Sequence, residues 1–310
     1  MNFAAVVNSS AGLASRQGPV VTRMALTEAL GKQLVSLRVV KPRAVPAALD
    51  EALALKPDAI LVLGGDGTAR SAATKLLPTG VPAAFLPGGT MNILPTRLYG
   101  EAPLDQILKA IAQGNVSHVQ LRAGLAGSQP FFVAATFGFL PYLATVRERL
   151  RRARSIGARA HAIQQMLRFS APYFERPVGF TAPGQGMRLS SGLVAGLGDL
   201  DALHPLREPH VTLDHFECAS LDVTGWSGLL RLSLTALARR DWRNHPHVTP
   251  FTTERLDVFA GRRVRATLDG EPCRLRGPLT LRFAARGMAA LALPAKLDEG
   301  AVLDPHRASV

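Results

Sequence analysis

Short apolar runs alternate with segments of three- and four-residue apolar spacing through about the first 120 residues. Residues 3–7, 34–40, 59–63, 82–86 and 116–121 read as strands. Between them, residues 20–30, 45–55, 69–77 and 103–113 repeat their apolar positions at helical spacing. Strand–helix alternation with short Gly- or Pro-containing links predicts a mostly parallel α/β sheet with helices on both faces. Ligands of such sheets sit beyond the carboxyl ends of the strands, so the loops that follow strands are where chemistry is expected.

The pattern changes after about residue 122. Short strand-like pieces follow at 131–137, 179–181, 193–197, 210–213, 217–223, 256–259, 263–268, 279–283 and 289–293, punctuated by Gly, Pro and Asp. That is the pattern of an antiparallel sandwich or barrel. Helical inserts interrupt it at 143–169 and 227–239. The expected organisation is an α/β domain over residues 1–122, joined by a returning C-terminal segment 294–310, and an all-β domain over 123–293. A length of 310 residues, 47% apolar and 19% charged, suits two such domains.

Thirty-six Lys and Arg against 23 Asp and Glu give a net charge of +13, which attracts polyanions: nucleic acid, nucleotides or an anionic membrane surface. Cys218 and Cys273 are too few and too far apart for a disulfide scaffold or a CxxC metal site, and each reads as a buried free thiol in a reducing compartment. The longest charge-free run, 123–146, contains Gly124, Gly127, Pro130, Gly138 and Pro141, which belong to strands and turns rather than to a membrane span. No basic n-region precedes the first apolar run, so a cytoplasmic location is expected.

Directly after the strand 59–63 comes Gly64-Gly65-Asp66-Gly67-Thr68, then a helix. Glycines there permit positive φ and let backbone N–H groups approach a phosphate, while the helix start adds partial positive charge. Asp66 at the tip would repel a bare phosphate unless Mg²⁺ lay between them. A Gly-rich turn capped by Asp66 explains the same residues. The next strand is followed by Pro87-Gly88-Gly89-Thr90-Met91-Asn92, and the first strand ends in Asn8-Ser9-Ser10-Ala11-Gly12. Three such loops at one sheet edge favour phosphate binding over coincident turns.

Late in the chain Asp269-Gly270-Glu271 follows the strand 263–268. If the extended chain continues, both carboxylates point the same way and one can take a proton from an accepting hydroxyl. Asp-Gly is equally a hairpin-turn dipeptide.

These pieces together resemble the diacylglycerol kinase catalytic-domain family, which includes sphingosine kinases and bacterial soluble lipid kinases. Gly64–Thr68 matches the family's GGDGT, Pro87–Asn92 its P-x-G-T-x-N, and 269–271 its late DGE; residues 279–294 have its closing-strand pattern. The resemblance implies a nucleotide-binding α/β domain followed by a β-sandwich domain, with ATP in the cleft between them and Mg²⁺ as cofactor. By position, Asn8, Gly64, Gly65, Asp66, Gly67, Thr68, Gly89, Thr90 and Asn92 would form the nucleotide and metal side, with Asp269 and Glu271 approaching from the second domain. The base would be Glu271 or, as argued for some relatives, Asp66. Asp214 matches an Asp that in some bacterial relatives helps hold a structural Mg²⁺; an ordinary Asx turn explains it as well.

The chain also departs from the family. The common N-P-x-S-G-K reads Asn8-Ser9-Ser10-Ala11-Gly12-Leu13, without the basic residue. In the segment usually written F-x-N-x-x-S-x-G-x-D, Ala134 stands for the Asn and Pro141 near the Asp.

The reading that follows is an ATP- and Mg²⁺-dependent lipid kinase acting on a hydroxyl of diacylglycerol or a related lipid. An NAD kinase, which shares GGDGT, and a catalytically degenerate lipid- or nucleotide-binding relative are the alternatives. Seven arginines between residues 144 and 169, interleaved with an apolar stripe, suggest a basic amphipathic helix resting on anionic lipid at the inner membrane face. A solvated or ATP-facing helix is the competing reading. With no RNP-like aromatic pattern or zinc module, nucleic acid is not an expected partner. A homodimer is left open.

Overall fold

The computed structural model describes residues 1–12, 18–89, 92–152, 155–169, 174, 176–197, 215–237 and 245–294. The chain forms two compact units, divided between Ala123 and Gly124 and again between Phe283 and Ala284.

In the first unit, β1 (Phe3–Asn8), β2 (Leu34–Val40), β3 (Ala59–Gly64), β4 (Ala83–Pro87) and β5 (Ser117–Leu121) join with a late strand, Met288–Ala292. The sheet order is β2-β1-β3-β4, then Met288–Ala292, then β5. β1 pairs in parallel with β2 and β3, and β3 with β4. The central strands β1 and β3 are buried at every position, which is why they read as unbroken apolar runs. The late strand is parallel to β4 and antiparallel to β5. The chain therefore re-enters this unit at Ala284, not at 294 as its pattern suggested. An apolar run looks the same in a sandwich as in a parallel sheet; only its partner differs.

Helices form at Pro19–Leu30, Val45–Ala54, Asp66–Leu76 and Leu104–Ala112, as their spacing predicts. A further helix, Ile93–Tyr99, was not predicted. It has only seven residues and carries Pro95 in its first turn, where a missing N–H costs nothing.

The second unit adds β6 (Gly124–Ala126), β7 (Gln129–Phe131), β8 (Ala134–Gly138), β9 (Val178–Thr181), β10 (Arg188–Ser190), β11 (Gly192–Gly196), β12 (Phe216–Leu221), β13 (Val248–Thr253), β14 (Leu256–Phe259), β15 (Arg263–Leu268), β16 (Glu271–Arg276) and β17 (Leu279–Phe283); Met288–Ala292 is β18. They form two antiparallel sheets, ordered β10-β9-β14-β17-β6-β7 and β13-β12-β11-β8-β15-β16. Phe131, Phe180 and Leu281 from one sheet meet Phe137, Phe216 and Leu268 from the other in a single core. Phe216 stacks on Phe283 at 4.2 Å between ring centroids. The expected sandwich is thus present. The predicted strand 131–137 is broken at Phe132 and Val133, and the insert 143–169 is two helices, Leu140–Arg152 and Ile156–Phe169. The strand predicted at 210–213 lies outside the described residues.

Neither Cys218 nor Cys273 is in a disulfide. Cys218 is buried in the sandwich core, and that burial, reinforced by Glu217, pushes its thiol well above the ordinary range. Cys273 is only half-buried, unlike the sequence expectation. Native-state alkylation followed by mass mapping is expected to label Cys273 first and Cys218 only on unfolding. Equal rates would mean that the core opens readily.

Candidate active site

The order β1-β3-β4 aligns the carboxyl ends of three neighbouring parallel strands, so the loops after them share one rim. Asn8 closes β1 and is 7% exposed. Its Oδ1 accepts the Ser10 N–H at 3.0 Å, and its Nδ2 donates to Thr68 Oγ1 at 2.8 Å. The amide therefore ties the first loop to the second.

The glycines of the second and third loops pack backbone against backbone. A Cβ on Gly89 would stand 2.7 Å from Gly65 Cα, and one on Gly88 would stand 2.9 Å from the Gly64 carbonyl oxygen. A Cβ on Gly64 would meet Thr68 Cβ at 2.4 Å. None of these glycines takes a left-handed φ, and Gly65 sits at −84°. Gly64, Gly88 and Gly89 need to be glycine because of close approach, not the positive φ that the sequence suggested. Gly89→Ala is accordingly expected to cost about 1–3 kcal/mol of stability by overpacking. Gly65→Ala, whose Cβ would meet its nearest neighbour at 3.6 Å, should melt close to the wild type. Equal melting temperatures for the two variants would disprove the packing argument.

Asp66 opens the helix Asp66–Leu76, whose N-cap is Gly65 with no side-chain cap. Its Oδ1 accepts the Ile93 N–H at 2.7 Å. Asp66 thus caps the neighbouring helix Ile93–Tyr99 rather than its own. Asn92, at φ 48°, is the backbone N-cap of that helix. Its Oδ1 accepts the N–H groups of Gly88 at 3.2 Å and Gly89 at 2.7 Å, and its Nδ2 donates to the Gly89 carbonyl at 3.2 Å. Two donors expected to face a ligand are therefore spent inside the third loop.

The helix Asp66–Leu76 keeps its opening. The first N–H groups of a helix lack an acceptor one turn back; here the N-cap, Gly65, has no side chain to offer them, and its carbonyl accepts the Thr68 N–H at 2.9 Å. Asn8, Gly64, Gly65, Asp66, Gly67, Thr68, Gly89 and Asn92 are all held on this rim, and Thr90 lies outside the described residues. The tether from Asp66 to Ile93 was missed in the sequence; Asn92 as an N-cap residue was its one local signal.

In the second unit, Asp269 and Glu271 do not continue one extended strand. Leu268 pairs with Glu271, and Asp269 and Gly270 at φ 52° and 79° form the two-residue turn of the β15–β16 hairpin. Asp269 is 5% exposed. Its Oδ1 accepts the N–H groups of Phe132 at 3.0 Å, Val133 at 2.7 Å and Ala134 at 3.2 Å, and Oδ2 accepts Phe132 at 3.0 Å. Its own N–H donates to the Ala134 carbonyl at 2.8 Å. The expectation that Asp269 and Glu271 point the same way along one extended strand is thus corrected: the Asp269 carboxylate is turned into the backbone of residues 132–134. Glu271 is exposed at the first position of β16.

Asp214, His204 and His210 lie outside the described residues. Among the described residues no group of three or more His, Cys, Asp or Glu is placed to hold a metal. Ser190 and Ser191 hydrogen-bond the backbone of Leu221 and so tie the junction between β10 and β11 to the end of β12; neither is placed as a nucleophile. Arg149 and Arg159 of the basic segment are exposed. Side chains 147, 151, 152, 154 and 168 lie outside the described set. No helix among the described residues is long and apolar enough to cross a membrane.

Residues 2–123 match the family model of the diacylglycerol kinase catalytic domain. Two crystal structures from Bacillus anthracis str. Sterne are similar over nearly their whole length. One, of a protein provisionally described as a diacylglycerol kinase, is 19% identical over 96% of this chain and 98% of that chain, with a TM-score of 0.66. The other, of a diacylglycerol kinase, is 18% identical over 96% and 98%, with a TM-score of 0.63. At such identity the likeness establishes the fold.

Proposed function

We propose, from the match of residues 2–123 to the diacylglycerol kinase catalytic-domain model, that the protein is an ATP- and Mg²⁺-dependent lipid kinase acting on a hydroxyl of diacylglycerol or a related lipid. The observation that carries this reading is the glycine N-cap of the helix Asp66–Leu76, which puts no side chain over the first turn, in backbone contact with the glycine loop after the next strand. Backbone N–H groups and the helix dipole there suit the phosphates of a nucleotide. Asp66 has one oxygen committed to Ile93, which leaves Oδ2 to meet Mg²⁺. A single protein carboxylate, with nucleotide phosphates and water completing the shell, is a usual way to hold that ion. When bound, it would neutralise charge on the phosphates.

In the reaction the lipid hydroxyl oxygen forms a bond to the γ-phosphorus of ATP as the bond to the bridging oxygen breaks, releasing ADP. The hydroxyl proton goes to a carboxylate. With Asp269 sequestered and Asp66 tethered, Glu271 is the exposed candidate and our choice for this base. The protein would work on lipid from the cytoplasmic side, with the exposed Arg149 and Arg159 near the anionic surface.

The deciding experiment supplies radiolabelled ATP with a total lipid extract in one arm and NAD in another. Label in a lipid product is expected. Label in NADP instead would establish the NAD kinase alternative. Nucleotide binding without labelling of either acceptor would establish the degenerate one.

A further inference from the structure

The helix Pro19–Leu30 is apolar on two sides through its first two turns. Its inner side buries Leu26 and Leu30, with Thr22 beside them. On the other side Val20, Val21 and Met24 are 66%, 50% and 63% exposed. Spaced three and four residues apart, these three form one cluster rather than scattered single residues. The first carboxylate on that side is Glu28, a full turn beyond Met24.

Connectivity places the cluster. The helix ends at Leu30, just before β2 starts at Leu34, and it packs on β2. Its opening therefore lies toward the opposite edge of the sheet, where β1 and β2 end. There Asn8 pairs with Val40, and the Ser9 N–H donates to the Val40 carbonyl at 2.8 Å. Lys41 and Arg43 follow in the turn after β2, both exposed, and Arg23 is exposed on the helix itself. Among the described residues, none of these three cations forms an ion pair.

We propose that this edge of the first unit rests on an anionic bilayer. Val20, Val21 and Met24 enter the boundary between headgroups and acyl chains, while Arg23, Lys41 and Arg43 meet the lipid phosphates. Apolar side chains flanked by cations have the chemistry of such a surface. A second copy of the chain fits less well. A two-fold contact sets the patch against itself, and so cation against cation. The glycine loops leave the same edge of the sheet, so a chain resting here presents them to the membrane. Only the use of that placement, delivery of a lipid hydroxyl, rests on the lipid kinase reading.

The test uses the full chain, without ATP or acceptor, and measures cosedimentation. Vesicles of phosphatidylglycerol with phosphatidylcholine are compared with vesicles of phosphatidylcholine alone. The wild type should sediment with the anionic vesicles only, and added salt should release it. Two variants are made: Val20→Gln with Val21→Gln and Met24→Gln, and Lys41→Gln with Arg43→Gln. Each should bind the anionic vesicles about tenfold more weakly or worse. Both should melt with the wild type, because every substituted side chain is exposed. Should the triple variant melt lower, the double variant, which leaves the helix intact, decides. The proposal is overturned if the wild type ignores anionic vesicles, or if both variants bind them as the wild type does. It is also overturned if the triple variant turns a wild-type dimer into a monomer while binding vesicles unchanged, which would assign the patch to a second copy. A chain that phosphorylates lipid yet passes one of these overturning tests keeps its kinase reading and loses this surface. A chain that binds through the patch without labelling any lipid does the reverse.

Discussion

Asp269→Gly is expected to lower the melting temperature by about 10 °C, at roughly 2–4 °C per kcal/mol for a unit of this size. The carboxylate accepts the N–H groups of Phe132, Val133 and Ala134, where the strand is broken between β7 and β8. Deleting it removes the acceptor of these N–H groups, at about 1–3 kcal/mol for each buried group. Val133 is only half-buried, so water recovers part of the loss, and about 3–5 kcal/mol is the expected total. Glycine also relieves the positive φ of 52°, so the measured loss is the carboxylate's and not the backbone's. Asp269→Asn, which keeps an accepting oxygen and tolerates the left-handed conformation, should lose much less. A Gly variant that melts with the wild type would show that the three N–H groups find other acceptors.

The same residue marks the limit of what the sequence could reveal. Asp269-Gly270-Glu271 supports both a turn and a pair of carboxylates on one face, and nothing local separates the two. The decision is made by Phe132, Val133 and Ala134, more than 130 positions away in sequence, whose N–H groups draw the Asp269 side chain inward. The break in the strand at 131–137 has the same cause. By contrast, β1, β3, β4 and the glycine loops were legible because their signals are local: runs buried along nearly their whole length and, for β3 and β4, glycines directly after them. Even there the physical reason was hidden. Gly88 and Gly89 are glycine because another backbone touches them, and that fact exists only once β3 and β4 are paired. The β15–β16 hairpin needed register in the same way, since the residues of β16 were not read as a strand at all. For β18, the apolar pattern showed a strand but not which sheet would claim it.

Asp66→Asn and Glu271→Gln, measured together, assign the proton. Glutamine at 271 keeps the length and hydrogen-bonding reach of glutamate but cannot take a proton, and the position is exposed, so folding should be untouched. If Glu271 is the base, lipid-dependent turnover falls by about 10²–10⁴-fold while ATP affinity stays near wild type. Asparagine at 66 can still accept the Ile93 N–H through its amide oxygen, so the cap on that helix and the melting temperature should persist. Its amide nitrogen replaces the oxygen proposed to meet Mg²⁺, and Mg²⁺-dependent turnover should be lost. The two variants differ in one further readout. Raising Mg²⁺ should partly restore the Asp66 variant if that residue only positions the ion, and should do nothing for the Glu271 variant. Normal turnover by Glu271→Gln with a dead, Mg²⁺-insensitive Asp66→Asn would hand the proton to Asp66 and leave Glu271 an exposed strand end.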